Sequence, residues 1–423
     1  VYKRQVKYRV FDKENHTHGG PMHYLETGFK EKGMAGLGKG LAIFFAIMCI
    51  GGAIGAGNMY QINQASEQFS GTFDIFKDGN SIYFGIIIAV IVGLVIIGGI
   101  KSIARVTSFL VPFMCLTYLL AAFVILISNF SSIPSAFSEI FTGAFSPIAV
   151  GGGIVGVLIQ GIQRAAFSNE AGIGSAAIAH SAVKTTKPAS EGYVAMLGPF
   201  IDTVVVCTMT ALVLVISGAW KIDATTNEDQ VALYSKPGIE QSIVKTLDKG
   251  EELRLIENKD IGEGDNKKAY GKVWREDEAE LWVAMDKVNS IKGIAKTSIA
   301  FERQFSWFPI VLSIAAILFA FSTMISWSFY GEQAVNYLFG INNKIAMVSY
   351  KVAFCFFVVV GSAASLGNVL KLSDAMLFAM VIPNMIGIYF LLPKVKEEII
   401  SYQKHVKEID EHLEHKEKDI MTV

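Results

Sequence analysis

Charge is scarce in this 423-residue sequence. Asp, Glu, Lys and Arg make up only 18% of the residues, hydrophobic residues make up 52%, and the formal net charge is −1. The mean hydropathy is +0.43. A soluble chain of this length carries more charge and shorter apolar runs, and a nucleic-acid-binding protein has a basic excess. The composition therefore argues against nucleic acid as a partner and indicates a protein whose partner is the lipid bilayer.

Cysteine and histidine are also few, and their placement excludes several classes of site. The four cysteines all lie in apolar runs, without the paired spacing of a disulfide framework or a metal site. Six of the seven histidines lie in polar stretches, and the sequence contains neither HExxH nor GxxxxGK[ST]. We therefore predict a protein that is not an enzyme, with no transition metal and no cofactor. A membrane-embedded enzyme and a channel remain the weaker alternatives.

Long apolar runs predict an all-α polytopic membrane protein. A helix needs about 20 apolar residues to cross roughly 30 Å of hydrocarbon. Eight runs reach this length, at 41–62, 82–100, 106–128, 148–180, 193–217, 307–330, 346–366 and 372–392.

The distribution of lysine and arginine places both ends of the chain in the cytoplasm, since these residues concentrate in cytoplasmic loops. For 219–305, a partly ordered loop is favoured over a small folded module. The pattern of the tail (393–423) predicts an amphipathic helix that lies along the membrane or along another helix. The predicted units are a cytoplasmic loop (1–40), membrane helices (41–218), an extracytoplasmic insertion (219–305), membrane helices (306–392) and a cytoplasmic tail (393–423).

The first residues form a separate case. Val1–Gln5 (VYKRQ) matches the translation of a common sequencing adaptor. We expect these five residues to be non-native and the reading frame to be truncated.

One apolar run is interrupted by polar residues and glycines, in RAAFSNEAGIGSAAIAH at 164–180. A charged side chain at the bilayer centre costs about 2.5–3.5 kcal/mol on insertion scales. Broken helices in transporters expose backbone N–H and C=O groups that bind ions and zwitterions. For Arg164 and Glu170, a structural ion pair is favoured over direct ligation.

A second polar stretch, IGAGNMYQINQASEQF at 54–69, places Asn58, Gln61 and Gln64 three residues apart. Amides are costly in lipid, so these side chains should face the bundle interior or a cavity. For Asn58 and Gln61, lining of a transport pathway and bonding between helices are equally supported by the spacing.

These motifs resemble the alanine or glycine:cation symporter family. The resemblance rests on FSNEAGIGSAAIAHSA with GPFIDTVVVCTMTALVLVISGAW, on GGPMHYLETGF and GNMYQIN, and on FAFSTMISWSFYGEQAVNYLFG and DAMLFAMVIPN. The five motifs occur in the family's order and cover most of the chain outside 219–305. The insertion is longer than the family's usual loop there, so nothing carries over to it.

The resemblance implies a LeuT-like core of the APC superfamily, built from two inverted five-helix repeats. The eight runs then correspond to core helices three to ten, and the first two core helices have no counterpart in this sequence.

The resemblance also implies sodium-coupled symport of alanine or glycine into the cell, in the bacterial inner membrane. Proton coupling, or a non-transporting sensor-like relative, stays as an alternative, and a protein partner is unknown. The implied substrate-binding residues are Asn58, Gln61, Phe167, Ser168, Asn169, Gly172, Gly174 and Trp327. The implied sodium-binding residues are Ser322, Thr323 and Ser326. On spacing alone, the hydroxyls of Ser322 and Thr323 could equally bond the preceding helical turn. No role can be assigned to Asp202.

Overall fold

A computed structural model of the chain describes residues 7–11, 17–73, 81–145, 154–239, 242–261, 268–274, 280–341 and 343–421. Val1–Gln5 and the glycines at 151–153 lie outside these residues. The helices are α1 (Pro21–Lys30), α2 (Ala35–Thr72), α3 (Ser81–Ile97), α4 (Gly99–Ser128), α5 (Ile133–Ala144), α6 (Ile154–Asn169), α7 (Ala176–His180), α8 (Pro188–Ser217), α9 (Ile294–Glu302), α10 (Phe308–Phe339), α11 (Lys344–Ala363) and α12 (Leu366–Met421).

The helices agree with the order of the predicted apolar runs. Within the described residues, six helices are long and apolar enough to cross a membrane: α2, α4, α8, α10, α11 and the Leu366–Ile409 part of α12. Two further runs correspond to shorter helices, α3 with 17 residues and α6 with 16. The chain is a polytopic membrane protein.

Helix α2 lies at the centre of the main core, where it packs against α10, α11 and α12. Small residues make the close approach possible. A Cβ on Gly361 of α11 would lie 2.6 Å from the Cα of Met59, and a Cβ on Gly57 would overlap the Cγ of Trp327. In the part of α2 that makes these contacts, the helix has a π-helical turn over Gly55–Met59. Such turns free a backbone hydrogen bond and are frequent at functional sites.

A second core joins α4, α5, α8, α9 and α10 around buried side chains that include Tyr118, Leu212 and Phe301. Helix α8 also contains a π-helical stretch, Phe200–Cys207, which includes Asp202. The two π-helical segments belong to α2 and α8, and residues of both helices contact α6.

The loop interpretation of 219–305 is wrong, and so is the all-α class for this part of the chain. The segment folds into a strand module with its own apolar core, followed by α9. After a short antiparallel pair near the first described residues, β1 (Val10–Phe11) and β2 (Thr17–His18), the module contains β3 (Ala224–Thr226), β4 (Val231–Tyr234), β5 (Ile243–Leu247), β6 (Glu252–Leu253), β7 (Leu255–Ile261), β8 (Lys268–Val273), β9 (Leu281–Ala284) and β10 (Val288–Ser290). A three-stranded sheet has the order β10-β3-β6 and a five-stranded antiparallel sheet has the order β5-β4-β9-β8-β7.

The physical reason is the alternation of burial along these short strands. In β4, Val231 and Leu233 are buried while the residues between and after them are half-buried. This is the period of two that a strand with one covered face requires. Ion pairs connect α9 and the residue after it to the strand module. Lys296 bonds Asp223 at 2.7 Å, and Arg303 bonds both oxygens of Glu252 at 2.6 and 2.7 Å.

The tail is not a separate amphipathic helix. It continues α12 without interruption, so that the helix has 56 residues and a length of about 84 Å. Past Pro393 the helix is held by contacts with α1, α8 and the first described residues. Lys394 pairs with Glu31, and Tyr402 lies against Tyr193 with ring centroids 5.8 Å apart. The expectation that the tail lies against another helix is met by α8.

Candidate functional site

The interrupted run is a broken helix, as the sequence predicted. Helix α6 ends at Asn169 and α7 begins at Ala176, and three residues between them have positive φ: Glu170 at 55°, Gly172 at 84° and Gly174 at 97°. Left-handed backbone ends a helix and leaves its last C=O and the next N–H groups without helical partners. At Gly174, a Cβ would also lie 2.8 Å from Cγ of Pro21, so the position requires glycine.

One side of the break is held by two other sequence motifs. Asn384 of α12 donates from Nδ2 to the carbonyl oxygen of Gly172 at 2.6 Å, and Tyr24 of α1 donates its hydroxyl to Oδ1 of Asn384. Asn384 is fully buried. GGPMHY, FSNEAGIGS and VIPN, which are far apart in sequence, therefore meet at one point and fix the conformation of the break.

The other side of the break faces a cavity of about 380 Å³, here called the break cavity. It lies between α6, α2 and α10. Five of the predicted site residues line it: Gln61, Phe167, Ser168, Thr323 and Trp327. The remaining lining residues are Ala56, Tyr60, Arg164, Glu170 and Leu377.

Glu170 is the acidic group of this cavity. Its Oε1 accepts a hydrogen bond from Nε1 of Trp327 at 2.9 Å, and its Oε2 accepts one from the hydroxyl of Ser175. The side chain thus connects the break to α10, the helix that also carries Thr323.

The predicted ion pair between Arg164 and Glu170 is wrong. Arg164 donates from Nη2 to Oδ2 of Asp374 at 2.5 Å and lies over the ring of Phe167, with its guanidinium carbon 5.6 Å from the centroid. The guanidinium thereby joins α6 to α12. Sequence spacing favoured Glu170 because it is near in the chain, whereas the partner is 210 residues away.

The structure places the other predicted site residues next to the break cavity or away from it. Asn58 is fully buried and donates to the carbonyl of Phe354 at 2.7 Å, which puts it on the α11 side of α2, away from Gln61. This bond between helices is the alternative that the spacing left open, and a substrate contact of Asn58 stays a prediction. Asn169 donates to Oγ1 of Thr203 at 2.9 Å and accepts from the backbone N–H of Ala171.

Asn169 thus shapes the break without lining the cavity. Gly172 and Gly174 do the same through their backbone. Ser322 and Ser326 donate to the carbonyls of Phe319 and Ser322, both at 2.9 Å. These two hydroxyl protons are used in the preceding turns of α10, and for Ser322 this is the alternative that the spacing left open.

A second cavity of about 380 Å³, the α9 cavity, adjoins the first. Tyr60 and Gln61 line both cavities, so these two side chains form the partition between them. The wall toward the strand module comes from Gly293, Ile294 and Thr297, and the backbone N–H of Ile294 donates to Oε1 of Gln64 at 3.1 Å.

Sequence reasoning missed several residues of the site. Tyr60 packs against Phe167 with ring centroids 4.8 Å apart. Asp202 of α8, which the sequence singled out without a role, accepts from the hydroxyl of Ser168 at 2.7 Å. Asp374 and Asn384 both lie in the quoted DAMLFAMVIPN motif, so a polar residue within an apolar run was the available signal for each. Tyr60 gave no such signal, because an aromatic residue is ordinary in a membrane helix.

The residues that form the break, its supports and the cavity lie in stretches of the sequence that match a known family. The family model described as sodium:alanine symporter family matches residues 5–247 and 280–417. The chain belongs to the sodium:alanine symporter family. The family model leaves residues 248–279 unmatched, and this stretch contains β6, β7 and β8. It is shorter than the insertion at 219–305 that the sequence suggested.

Individual relatives agree with this family membership. The chain is 32% identical over 400 residues to the sodium/alanine symporter AgcS of Methanococcus maripaludis, covering 94% of this chain and 72% of that protein. It is 27% identical to the probable sodium/glutamine symporter GlnT of Bacillus subtilis, covering 95% of this chain and 67% of the relative. It is 32% identical over 193 residues to a sodium/proton-dependent alanine carrier protein of Bacillus sp. strain PS3, covering 44% and 42%. The symporter family is one of cation-coupled amino acid transporters, not of enzymes.

Proposed function

We propose that this chain carries out sodium-coupled symport of alanine or glycine into the cell by alternating access. The observation that carries the proposal is the break cavity, in which a broken helix faces a hydroxyl-bearing helix. Broken helices near the bilayer midplane bind substrates and coupling ions through free backbone groups. The cavity supplies both apolar walls and polar groups for a small zwitterion.

The apolar walls come from aromatic residues. Trp327 is only 3% exposed and is fixed by its bond to Glu170, while Phe167 packs on Tyr60. Aromatic side chains fixed in this way limit the room for a substrate side chain, which favours alanine and glycine. The relative named as a glutamine symporter indicates that family membership alone does not determine this choice.

For sodium, Thr323 is the best-placed hydroxyl, because it lines the cavity on the same helix face as Trp327, one turn away. Hydroxyl and carbonyl oxygens suit a hard cation. Ser322 and Ser326 would contribute only acceptor lone pairs, since their protons are donated within α10.

The proposal includes a LeuT-like core of inverted repeats, with α2 to α12 supplying core helices three to ten, and a location in a bacterial inner membrane. The lysine-rich ends then lie in the cytoplasm, and the strand module lies on the opposite side.

The driving force is sufficient for uptake. A neutral zwitterion carried with one sodium ion moves one charge, worth about 2.3 kcal/mol per 100 mV. A tenfold sodium gradient adds about 1.4 kcal/mol. Together these terms sustain an alanine gradient of about a few hundred-fold, without ATP.

Proton coupling is the second candidate, supported by the relative named as a sodium/proton-dependent carrier. The test uses protein expressed from the full coding sequence and reconstituted in liposomes. Uptake of labelled alanine, glycine and glutamine is measured with inward sodium, potassium or proton gradients. We expect uptake of alanine or glycine with sodium alone. Equal uptake under potassium would refute sodium coupling, and uptake driven by a proton gradient would support the second candidate.

The role of Thr323 is tested in the same liposomes. Thr323→Ala should raise the sodium concentration for half-maximal uptake by about tenfold, the loss of one good ligand. Ser328→Ala is the matched control, because this buried hydroxyl on the same helix bonds Ile325 in the preceding turn. Similar sodium dependence of both variants would exclude Thr323 as a ligand.

A further inference from the structure

The break region contains more carboxyl groups than cationic side chains that pair with them, among the described residues. Glu170 lines the break cavity, and its described polar partners are two neutral donors, Trp327 and Ser175. Within the part of the chain that the structure describes, it forms no ion pair with a Lys, Arg or His.

A second carboxylate lies directly behind the same wall. Asp202 accepts from the hydroxyls of Ser168 and Thr203, at 2.7 and 3.2 Å. Ser168 itself lines the cavity. Asp202 likewise has no cationic partner among the described residues. Two acidic side chains from α8 and the break therefore approach the cavity with hydroxyl and indole donors alone.

The nearest cation does not balance them. Arg164 also lines the cavity, but its guanidinium is bonded to Asp374 at 2.5 Å. That pair is neutral in sum. When ionised, Glu170 and Asp202 leave a net negative charge beside a cavity of a membrane protein, where a bound cation offsets the cost of an uncompensated charge.

We infer that Glu170 provides the counter-charge for a monovalent cation in the break cavity, with Asp202 adding to the negative potential from behind Ser168. The inference rests on the proposed function, since either sodium or the ammonium group of the amino acid supplies this chemistry. The bonds from Trp327 and Ser175 fix the carboxylate, and each oxygen retains a lone pair for the ligand. Thr323 of α10, which also lines the cavity, offers a further oxygen.

The two sources of the cation are distinguished by binding measurements on purified full-length protein. Binding of radiolabelled sodium is measured without amino acid, and binding of tritiated alanine is measured at saturating sodium. Glu170→Gln is the isosteric neutral variant and Asp202→Asn is the second-carboxylate variant. Glu26→Gln is the matched control, because this half-buried carboxyl also accepts from one neutral donor, the hydroxyl of Tyr337 at 2.7 Å, away from the cavity. Unfolding midpoints are recorded for all variants.

We expect Glu170→Gln to weaken cation binding by at least about tenfold, as loss of a charged partner does at a partly desolvated site. Asp202→Asn should cause a smaller loss, and Glu26→Gln none. A loss confined to sodium binding assigns the cation as sodium, and a loss confined to alanine binding assigns it as the substrate ammonium.

Two results would overturn the inference. The first is Glu170→Gln protein that binds sodium and alanine within about twofold of wild type. The second is an equal loss of both together with a lowered unfolding midpoint, which would assign Glu170 a structural role. If wild-type protein bound no alanine, the proposed function would fail, and the sodium measurement would still decide whether Glu170 binds a cation.

Discussion

Replacement of Gly174 by alanine tests whether the break has a single permitted backbone. Gly174 has φ = 97°, and an added Cβ would lie 2.8 Å from Cγ of Pro21 and 3.0 Å from Cγ of Asn384. The backbone strain costs about 1–3 kcal/mol. The steric overlap adds about 1–3 kcal/mol, because neither neighbour can move freely. Pro21 is a ring at the start of α1, and Asn384 is bonded to Gly172 and Tyr24.

Two alanine variants separate these contributions. Gly172 lies in the same break with φ = 84°, but its Cβ would meet only Sδ of Met385 at 3.6 Å, an ordinary contact. Gly99 has φ = 64° and open space around it, at the start of α4. Gly172→Ala and Gly99→Ala should therefore show backbone strain alone, with Gly174→Ala lower in stability by a further 1–3 kcal/mol, about the cost of overpacking.

The assay is the unfolding midpoint in detergent, followed by alanine uptake in liposomes. Gly174→Ala should have the lowest midpoint of the three and the lowest uptake, because displacement of Asn384 releases the carbonyl of Gly172. If Gly174→Ala were as stable and active as Gly99→Ala, the contact of the three motifs would not determine the conformation of the break.

Three further predictions concern other parts of the molecule. Arg164→Gln and Asp374→Asn should each reduce uptake more than their combination does, with a coupling energy of about 0.5–3 kcal/mol in a double-mutant cycle; additive losses would contradict a functional pair. Burial, with the neighbouring charge of His18, lowers the pKa of His23 to about 4. The unfolded chain takes up this proton near pH 6.5, so the free energy of unfolding should fall by about 3 kcal/mol as pH drops from 6.5 toward 4. His23→Asn should flatten the pH dependence of the unfolding midpoint, and an unchanged slope would exclude His23 as its source. Replacement of 248–279 by a short Gly/Ser linker should leave uptake intact and lower only the stability of the strand module, measured by limited proteolysis; a folded helix bundle without uptake would refute this.

The helices and their order could be predicted from the sequence because the bilayer imposes a length and a composition on each span. The run at 106–128, for example, falls within α4, and the run at 307–330 begins one residue before α10. The ends were less predictable. Helix α12 continues through Pro383 and Pro393 to Met421, although proline usually marks a boundary. Contacts of the tail with α1 and α8 stabilise this continuation, and these long-range contacts are not visible in a local pattern.

The strand module was missed because its strands are short and only partly covered. β7 is exposed at five of its seven positions, so its side chains resemble those of a polar loop. Its position is determined by pairing with β8, from Leu255–Val273 to Ile261–Lys268. Pairing across a turn depends on register, which the composition of a polar segment does not reveal.

The residues around the break show the same limit. Motif resemblance identified Phe167, Ser168 and Trp327, which line the cavity. It also selected Asn58, on the assumption that amides three residues apart share a face. Asn58 lies in the π-helical turn at Gly55–Met59, where the spacing of a regular α-helix does not hold, and it donates to the carbonyl of Phe354.

The conformational and electrostatic costs of this chain are concentrated in one place. Strained backbone at Glu170, an unusual side chain for positive φ, coincides with a carboxylate that has neutral partners and with a cavity. A membrane helix would be more stable without any of the three, and glycine at position 170 would remove both strain and charge. Natural chains retain such costs where a site requires them. The contacts of Asn384 and Trp327 offset part of the cost from opposite sides. Because these supports fix the conformation of the break beside the cavity, they stabilise the geometry that the proposed function requires.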